Sequence, residues 1–370
     1  MDFIFSTFNA VFPFIIVISI LVYVHELGHY WVARKLGVTV EAFSIGFGPE
    51  LFGWTNRYGT RWKVCLVPLG GYVKPLMDEE YEADPNSKSP IPSSLSGKSP
   101  LERIAVAIAG PAANYILAIA LFAGVFVLVG QDVPTGNIKI TDIDENSAAE
   151  RSGMQSGDII LEMNDNPKVD LLNLQKTVRD SIEQPVKFLI KRDDETLVIQ
   201  LTPDMIISEN GETVGRIGAA LFPEITHVSH TFLSSISAAS QNVMNLTVVT
   251  VKLLGEIVTG ERSAEGLMGP IGIGKITKDF YEQGVVSLIT VMAFLSVNLG
   301  LINLFPIPLL DGGHIMFYLI ELIRGKPANR KVQEVAYAVG FTLVIALILF
   351  STWNDLSRLK VVQFVKNLFA

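Results

Sequence analysis

The pentapeptide His25-Glu26-Leu27-Gly28-His29 carries groups that bind metal or move protons. His25 and His29 are four apart, so a helix turns both imidazoles to one face. Two neutral imidazoles on one face can hold one zinc ion. Glu26 beside them can serve as general base toward a water that the metal activates. Glu26 itself points to another face and is not expected to bind metal. The competing reading is a helix whose polar residues line a structural contact. Position favours the metal, because the motif lies at the end of an apolar run from Ala10 to Ala33. Ionisable residues inside a membrane span cost about 2.5–3.5 kcal/mol near its centre and so tend to mark function.

Catalytic zinc takes three protein ligands and keeps one position open. The residues after His29, YWVARKLG, offer none at the spacing of HExxHxxGxxH proteases. A second polar cluster does, in NLFPIPLLDGGH from Asn303 to His314. Asp311 is its only carboxylate. His314 is the competing ligand if a helix continues through Gly312 and Gly313. Asn303, Pro306 and Pro308 break the helix before Asp311. Broken helices at membrane depth are tolerated where they line a cavity. Asn303 then offers a side-chain donor to a substrate or to a developing oxyanion.

The elements that hold these groups are apolar. The 370 residues are 49% hydrophobic and 18% charged, which suggests spans joined to a polar domain. Four stretches are long enough to cross a bilayer: Ala10 to Ala33, Ile104 to Val129, Gly284 to Pro306 and Val335 to Trp353. The first lacks the basic start and small-residue cleavage site of a signal peptide. Arg34, Lys35, Arg57, Arg61, Lys63 and Lys74 follow the first span, and Arg324, Lys326, Arg330 and Lys331 separate the last two. The positive-inside tendency puts both loops in the cytoplasm. Ser99, Pro100 and Glu102 form a capping signature for the second span, and Asp78 to Gly97 reads as a loop.

From Gln131 to Glu224 there are 18 acidic and 9 basic residues, so this segment alone carries a net charge of -9. That balance excludes a nucleic-acid-binding surface. Within it, NIKITDID, VKFLIKR and TLVIQL alternate with period two, and Leu171 to Ser181 reads as a helix. Thr231 to Gly260 reads as an amphipathic helix, followed by the Gly-rich run GLMGPIGIG from Gly266 to Gly274. The single cysteine, Cys65, excludes both an internal disulfide and a cysteine zinc cluster.

HELGH, NLFPIPLLDGGH and GPAAN (Gly110 to Asn114) together resemble the site-2 protease family of intramembrane zinc metalloproteases. The similarity is to its bacterial, PDZ-containing branch, which processes anti-sigma factors. It implies His25, His29 and Asp311 as zinc ligands, Glu26 as catalytic base and Asn303 as a substrate contact. It also implies that SIGFGPELFGW and TRWKVCLVPLGGYVK form a β-hairpin dipping into the membrane beside the site. Arg61 to Val67 reads as a strand, and Gly70 and Gly71 as a turn. A helical substrate must be held extended to be cut, and an edge strand can do that by strand addition. Val64, Leu66, Gly70 and Gly71 are the candidate substrate-binding residues there. ENSAAERSGMQSGDIILEMND resembles the signature of bacterial PDZ modules. A C-terminal peptide would bind between Ile138–Ile143 and the helix near Leu171–Ser181. GPAAN itself reads as a small-residue packing face, with Asn114 able to hydrogen-bond across it.

The expected fold is an α-helical polytopic membrane protein with about four transmembrane helices, a membrane-associated β-hairpin and an inserted α+β PDZ-like domain. The expected division is 1–130 for the first two spans and hairpin, 131–225 for the PDZ-like domain, 226–280 for an amphipathic linker and 281–370 for the last two spans. Expected partners are single-span membrane substrates such as anti-sigma factors, membrane lipid, and a C-terminal peptide at the PDZ-like domain, with no nucleic acid. The expected location is a bacterial inner membrane, with the PDZ-like domain on the periplasmic side. A metal transporter or a membrane PDZ scaffold would use the same residues differently. The sparsely charged second and fourth spans disfavour the first, and the intact Glu26 disfavours the second.

Overall fold

The computed structural model describes residues 2–77, 91–167, 170–207 and 212–358. Residues 78–90 of the expected 78–97 loop lie outside this set. In chain order the elements are α1 (Asp2–Lys35), β1 (Val40–Thr55), β2 (Arg61–Pro75), α2 (Pro100–Val129), β3 (Gln131–Ile143), α3 (Ala148–Arg151), β4 (Ile159–Met163) and α4 (Leu171–Asp180). Then come β5 (Val186–Arg192), β6 (Glu195–Leu201), β7 (Asp204–Ile207), β8 (Thr213–Arg216), β9 (Ala219–Val228), α5 (Phe232–Thr259), α6 (Pro270–Glu282), α7 (Val285–Asn303), α8 (Asp311–Arg324) and α9 (Arg330–Arg358). They form two compact units: Met1–Leu128 together with Thr231–Ala370, and Val129–His230.

The first unit is helical, and the chain is a membrane protein. Among the described residues five helices are long and apolar enough to cross a bilayer: Val11–Lys35 of α1, α2, α5, α7 and α9. Four of these hold the expected spans; α5 covers the segment expected as an amphipathic linker and qualifies by length and composition alone. Ser240 donates to the Ile236 carbonyl and Thr247 to the Val243 carbonyl, both at 2.8 Å, so these side chains are satisfied within their own helix.

Between membrane helices there is little hydrophobic drive, so close packing depends on small residues. Ala118 of α2, Ala239 of α5 and Ala293 of α7 are fully buried in one cluster. Gly28 of α1 lies against Ala109 and Ala113 of α2, and Gly300 of α7 lies against Tyr115 and Pro111. The α2 start is the expected capping box, with the Ser99 N–H donating to Glu102 at 2.8 Å. The Gly-rich run closes around Asp355 of α9, which is buried and accepts the Gly272 N–H at 2.8 Å.

β1 and β2 form a long irregular hairpin. The start of β1 pairs with the end of β2, with Val40 opposite Pro75 and Ile45 opposite Gly71. The start of β2 lies between the two halves of β1, with Val64 opposite both Ile45 and Phe52 and Arg61 opposite both Ala42 and Thr55. The chain reverses at the expected Gly70 and Gly71: Arg61–Val64 runs alongside Ala42–Ile45 in the same direction, and Gly71–Pro75 returns along its other side in the opposite one. Gly70 takes φ +111 there, a conformation open to glycine. The hairpin root packs on α1 through Phe43, Tyr23, Tyr30 and Trp62.

The second unit holds a five-stranded antiparallel sheet in the order β6-β5-β4-β3-β9, with α4 and a β7–β8 ribbon. Ile140, Ile160, Leu174, Phe188 and Ile190 are fully buried in its core. Such side chains contribute roughly 1.5–3 kcal/mol each. The buried Asp158 accepts two hydrogen bonds from Arg192, at 2.8 Å each, and holds that guanidinium above its ordinary pKa. A cavity of about 310 Å³ lies between α4 (Leu174, Gln175, Val178) and the segment from Gly215 to Leu221. This moves the groove expected beside Ile138–Ile143. β3 is flanked by β4 and β9 and has no free edge, whereas β9 is an edge strand.

Candidate metal centre

His25 and His29 sit in the last third of α1, and Asp311 is the first residue of α8. Helix spacing alone turns both imidazoles to one side. Asp311 arrives by a different device. α7 ends at Asn303, and Leu304 to Leu310 fold back over the first turn of α8. A Cβ on Gly312 would strike the Leu304 and Phe305 carbonyls, and one on Gly313 would strike Ile307 and Pro308. Gly340 of α9 closes the other side against Pro308. The loop is thus clasped between three glycines. Leu309 within it takes φ +103, a strained conformation for a branched residue.

The result is a triangle of ligand atoms. His25 Nε2 lies 3.2 Å from His29 Nε2 and 3.2 Å from Asp311 Oδ2, and His29 Nε2 lies 3.4 Å from Asp311 Oδ1. Four ligands on a tetrahedron with bonds of about 2.0–2.1 Å stand about 3.3 Å apart. The two imidazole nitrogens match that spacing, each carboxylate oxygen lies near it from one of them, and one atom of each residue lies within 4.8 Å of the others, so the donor set fits zinc in chemistry. Asp311 Oδ2 is buried with no aligned hydrogen-bond donor, as a ligand atom awaiting a cation would be. His29 Nδ1–H donates to the Val106 carbonyl at 2.8 Å, which leaves its Nε2 lone pair for the centre. Gly110 makes room for this ring, since a Cβ there would strike it.

Glu26 stands next to the triangle. The backbone N–H of Val73 interacts with its carboxylate. A Cβ on Gly71 would come within 3.2 Å of Glu26 Cγ. Gly71–Pro75 has β1 on one side, and no strand pairs with its other side among the described residues. Of the expected substrate residues, the fold brings Gly71 to Glu26. Gly70 lies against the Phe47 ring. Val64 and Leu66 are exposed on the start of β2, where Val64 stands opposite both Ile45 and Phe52. Asn303 ends α7, partly buried. His314 lies outside the triangle, its Nδ1 3.3 Å from the Tyr337 hydroxyl. The Val106 carbonyl and the Val73 amide escaped sequence reasoning because backbone groups leave no signature in residue types.

The profile of peptidase family M50 matches residues 13–347. A Rhizobium meliloti protein that bears a zinc metalloprotease name is 36% identical over 360 residues, which cover 94% of this chain and 96% of that one. Metalloprotease MmpA of Caulobacter vibrioides is 32% identical, covering 95% and 96%. Regulator of sigma-E protease RseP of Salmonella typhimurium is 31% identical, covering 94% and 98%. A solved PDZ domain of an SdrC-like protein from Listeria monocytogenes matches 24% of this chain at 20% identity, with a TM-score of 0.21, at which no shared fold is inferred. On the length and identity of these sequence matches, the chain belongs to peptidase family M50 and is a zinc metalloprotease.

Proposed function

We propose that the protein cuts single-span membrane proteins, anti-sigma factors among them, near the cytoplasmic side of a bacterial inner membrane. His25, His29 and Asp311 hold the zinc. The observation that carries the reading is their convergence from α1 and α8, with one atom of each within 4.8 Å of the others. Bound there, zinc lowers the pKa of water and polarises a carbonyl.

The remaining work falls to this chain's own side chains. Glu26 takes a proton from the attacking water on its carboxylate and passes it to the leaving amine. The side of Gly71–Val73 turned away from β1 holds the unwound substrate as an added strand beside Glu26. Asn303 donates from its carboxamide to substrate, and Gly70, Val64 and Leu66 line the approach along the hairpin. Read with four crossings, α5 not among them, the basic loops favour a site toward the cytoplasm and Val129–His230 on the periplasmic side. That unit is read as a PDZ-like module because of its GD-apolar-apolar segment and its edge strand β9 facing α4 across a cavity. A C-terminal peptide would lie in that cavity.

The test is mass spectrometry of membrane fragments from cells carrying the active chain or Glu26→Gln. Fragments ending inside predicted spans are expected with the active chain alone. Glu26→Gln should keep zinc and lose about 10²–10⁴-fold in rate. Equal cutting by both would remove Glu26 as the base.

A further inference from the structure

The two imidazoles of the centre are held differently. His29 Nδ1 faces a carbonyl, Val106 O, which can only accept, so its proton is fixed on Nδ1. His25 Nδ1 faces the side-chain amide of Asn114, with Nδ2 at 3.2 Å. Asn114 is fully buried, and its backbone carbonyl accepts the Ser296 hydroxyl at 2.8 Å, which fixes where the side chain starts. Its other amide atom, Oδ1, is buried without a partner.

A carboxamide turned by a half-rotation keeps its shape and exchanges donor for acceptor. With Nδ2 toward His25, the amide donates to Nδ1, and the neutral ring must carry its proton on Nε2. That proton then points into the triangle, where His29 Nε2 lies 3.2 Å from the ring nitrogen that carries it. With Oδ1 toward His25, the amide accepts from Nδ1–H, and Nε2 offers its lone pair. Only the second arrangement permits a metal bond.

We infer that Asn114 is a positioning residue that sets the tautomer of His25, accepting from Nδ1–H when zinc is held and donating to Nδ1 when it is not. One imidazole of the centre is thus fixed by backbone and the other follows a reversible amide. The metal-free cluster gains a hydrogen bond from His25 Nε2–H to the His29 Nε2 lone pair, 3.2 Å away, so the two imidazoles do not face one another as two lone pairs. This inference rests on His25 being a zinc ligand.

The full chain in detergent provides the test, by zinc competition against a fluorescent chelator and by nitrogen chemical shifts of labelled histidine. Asn114→Leu should weaken zinc about 10–100-fold. Asn114→Asp, which only accepts, should keep most of the affinity. It should also show His25 as Nδ1–H with and without zinc, whereas the native chain should show Nε2–H without zinc. An Asn114→Leu chain with native zinc affinity would overturn the inference. If that variant does not fold, a zinc-free Asn114→Asp chain showing His25 as Nε2–H overturns it equally. His25→Ala separates the two levels: unchanged zinc affinity there removes the ligand reading itself, while its loss beside a native-like Asn114→Leu removes only the role of Asn114.

Discussion

Two imidazole nitrogens and a carboxylate stand 3.2–3.4 Å apart in a membrane helix bundle. Without a cation their lone pairs repel, and only a shared proton relieves them. Each ligand should therefore be necessary. Asp311→Ala is expected to weaken zinc by more than about tenfold, which is the lower end of what even a ligand's outer partners cost. His314→Ala should leave zinc unchanged, because His314 is engaged by Tyr337 outside the triangle. Zinc content after dialysis decides. A full complement in the Asp311 variant would take that residue out of the centre. The pairing of His25 with His29 was legible because both lie on one helix with a fixed period. Asp311 was legible by scarcity, as the only carboxylate in its cluster.

At the scale of elements, the metal centre depends on a loop that no ligand belongs to. Pro308 is pressed between Gly313 and Gly340, and its position sets where α8 begins. Gly340→Val adds bulk where even one carbon meets the Pro308 carbonyl. Overpacking of this kind typically costs about 1–3 kcal/mol. The loop should shift and carry Asp311 with it, so zinc affinity should fall although the substitution lies on α9. Unchanged affinity with a normal melting profile would show that Asp311 is placed some other way. Sequence patterning marked the two prolines as a helix break, yet it gave no hint of Gly340, whose role exists only once α9 packs against the loop. The hairpin was legible as strands and the reversal at Gly70 and Gly71 as a turn, whereas the seating of Ala42–Ile45 between the two ends of β2 was not, because strand order leaves no mark in residue types.

For the whole molecule, the unit Val129–His230 has its own buried core and is joined to the rest only where α2 ends and α5 begins. Its removal should leave the zinc centre intact. Any single-span helix can diffuse to an intramembrane site, and apolar side chains discriminate poorly, so selection has to act elsewhere. A filtering unit would block substrates with bulky external domains and pass trimmed ones. Replacing 129–230 with a short linker is then expected to permit cleavage of an untrimmed substrate. Loss of cleavage of a trimmed substrate, with zinc retained, would mean that the unit recruits instead. The alternating strands made its α+β character readable, and the helix at Leu171 to Asp180 fell where its periodicity put it.

The side of Gly71–Val73 turned away from β1 also bears on where a substrate is cut. Hydrogen-bonding groups on one side of a strand repeat every second residue, about 6.8 Å along the chain. A substrate held there can slide by two residues and find the same bonds. A slide of one residue turns every side chain to the opposite face and loses them. Alternative scissile bonds in one substrate should therefore be separated by even numbers of residues. The side chains flanking them should alternate between a face that meets the hairpin and one that does not. End-mapping of the products by mass spectrometry reads this directly, and a ladder of cuts at every successive bond would argue that the substrate is not held as an added strand.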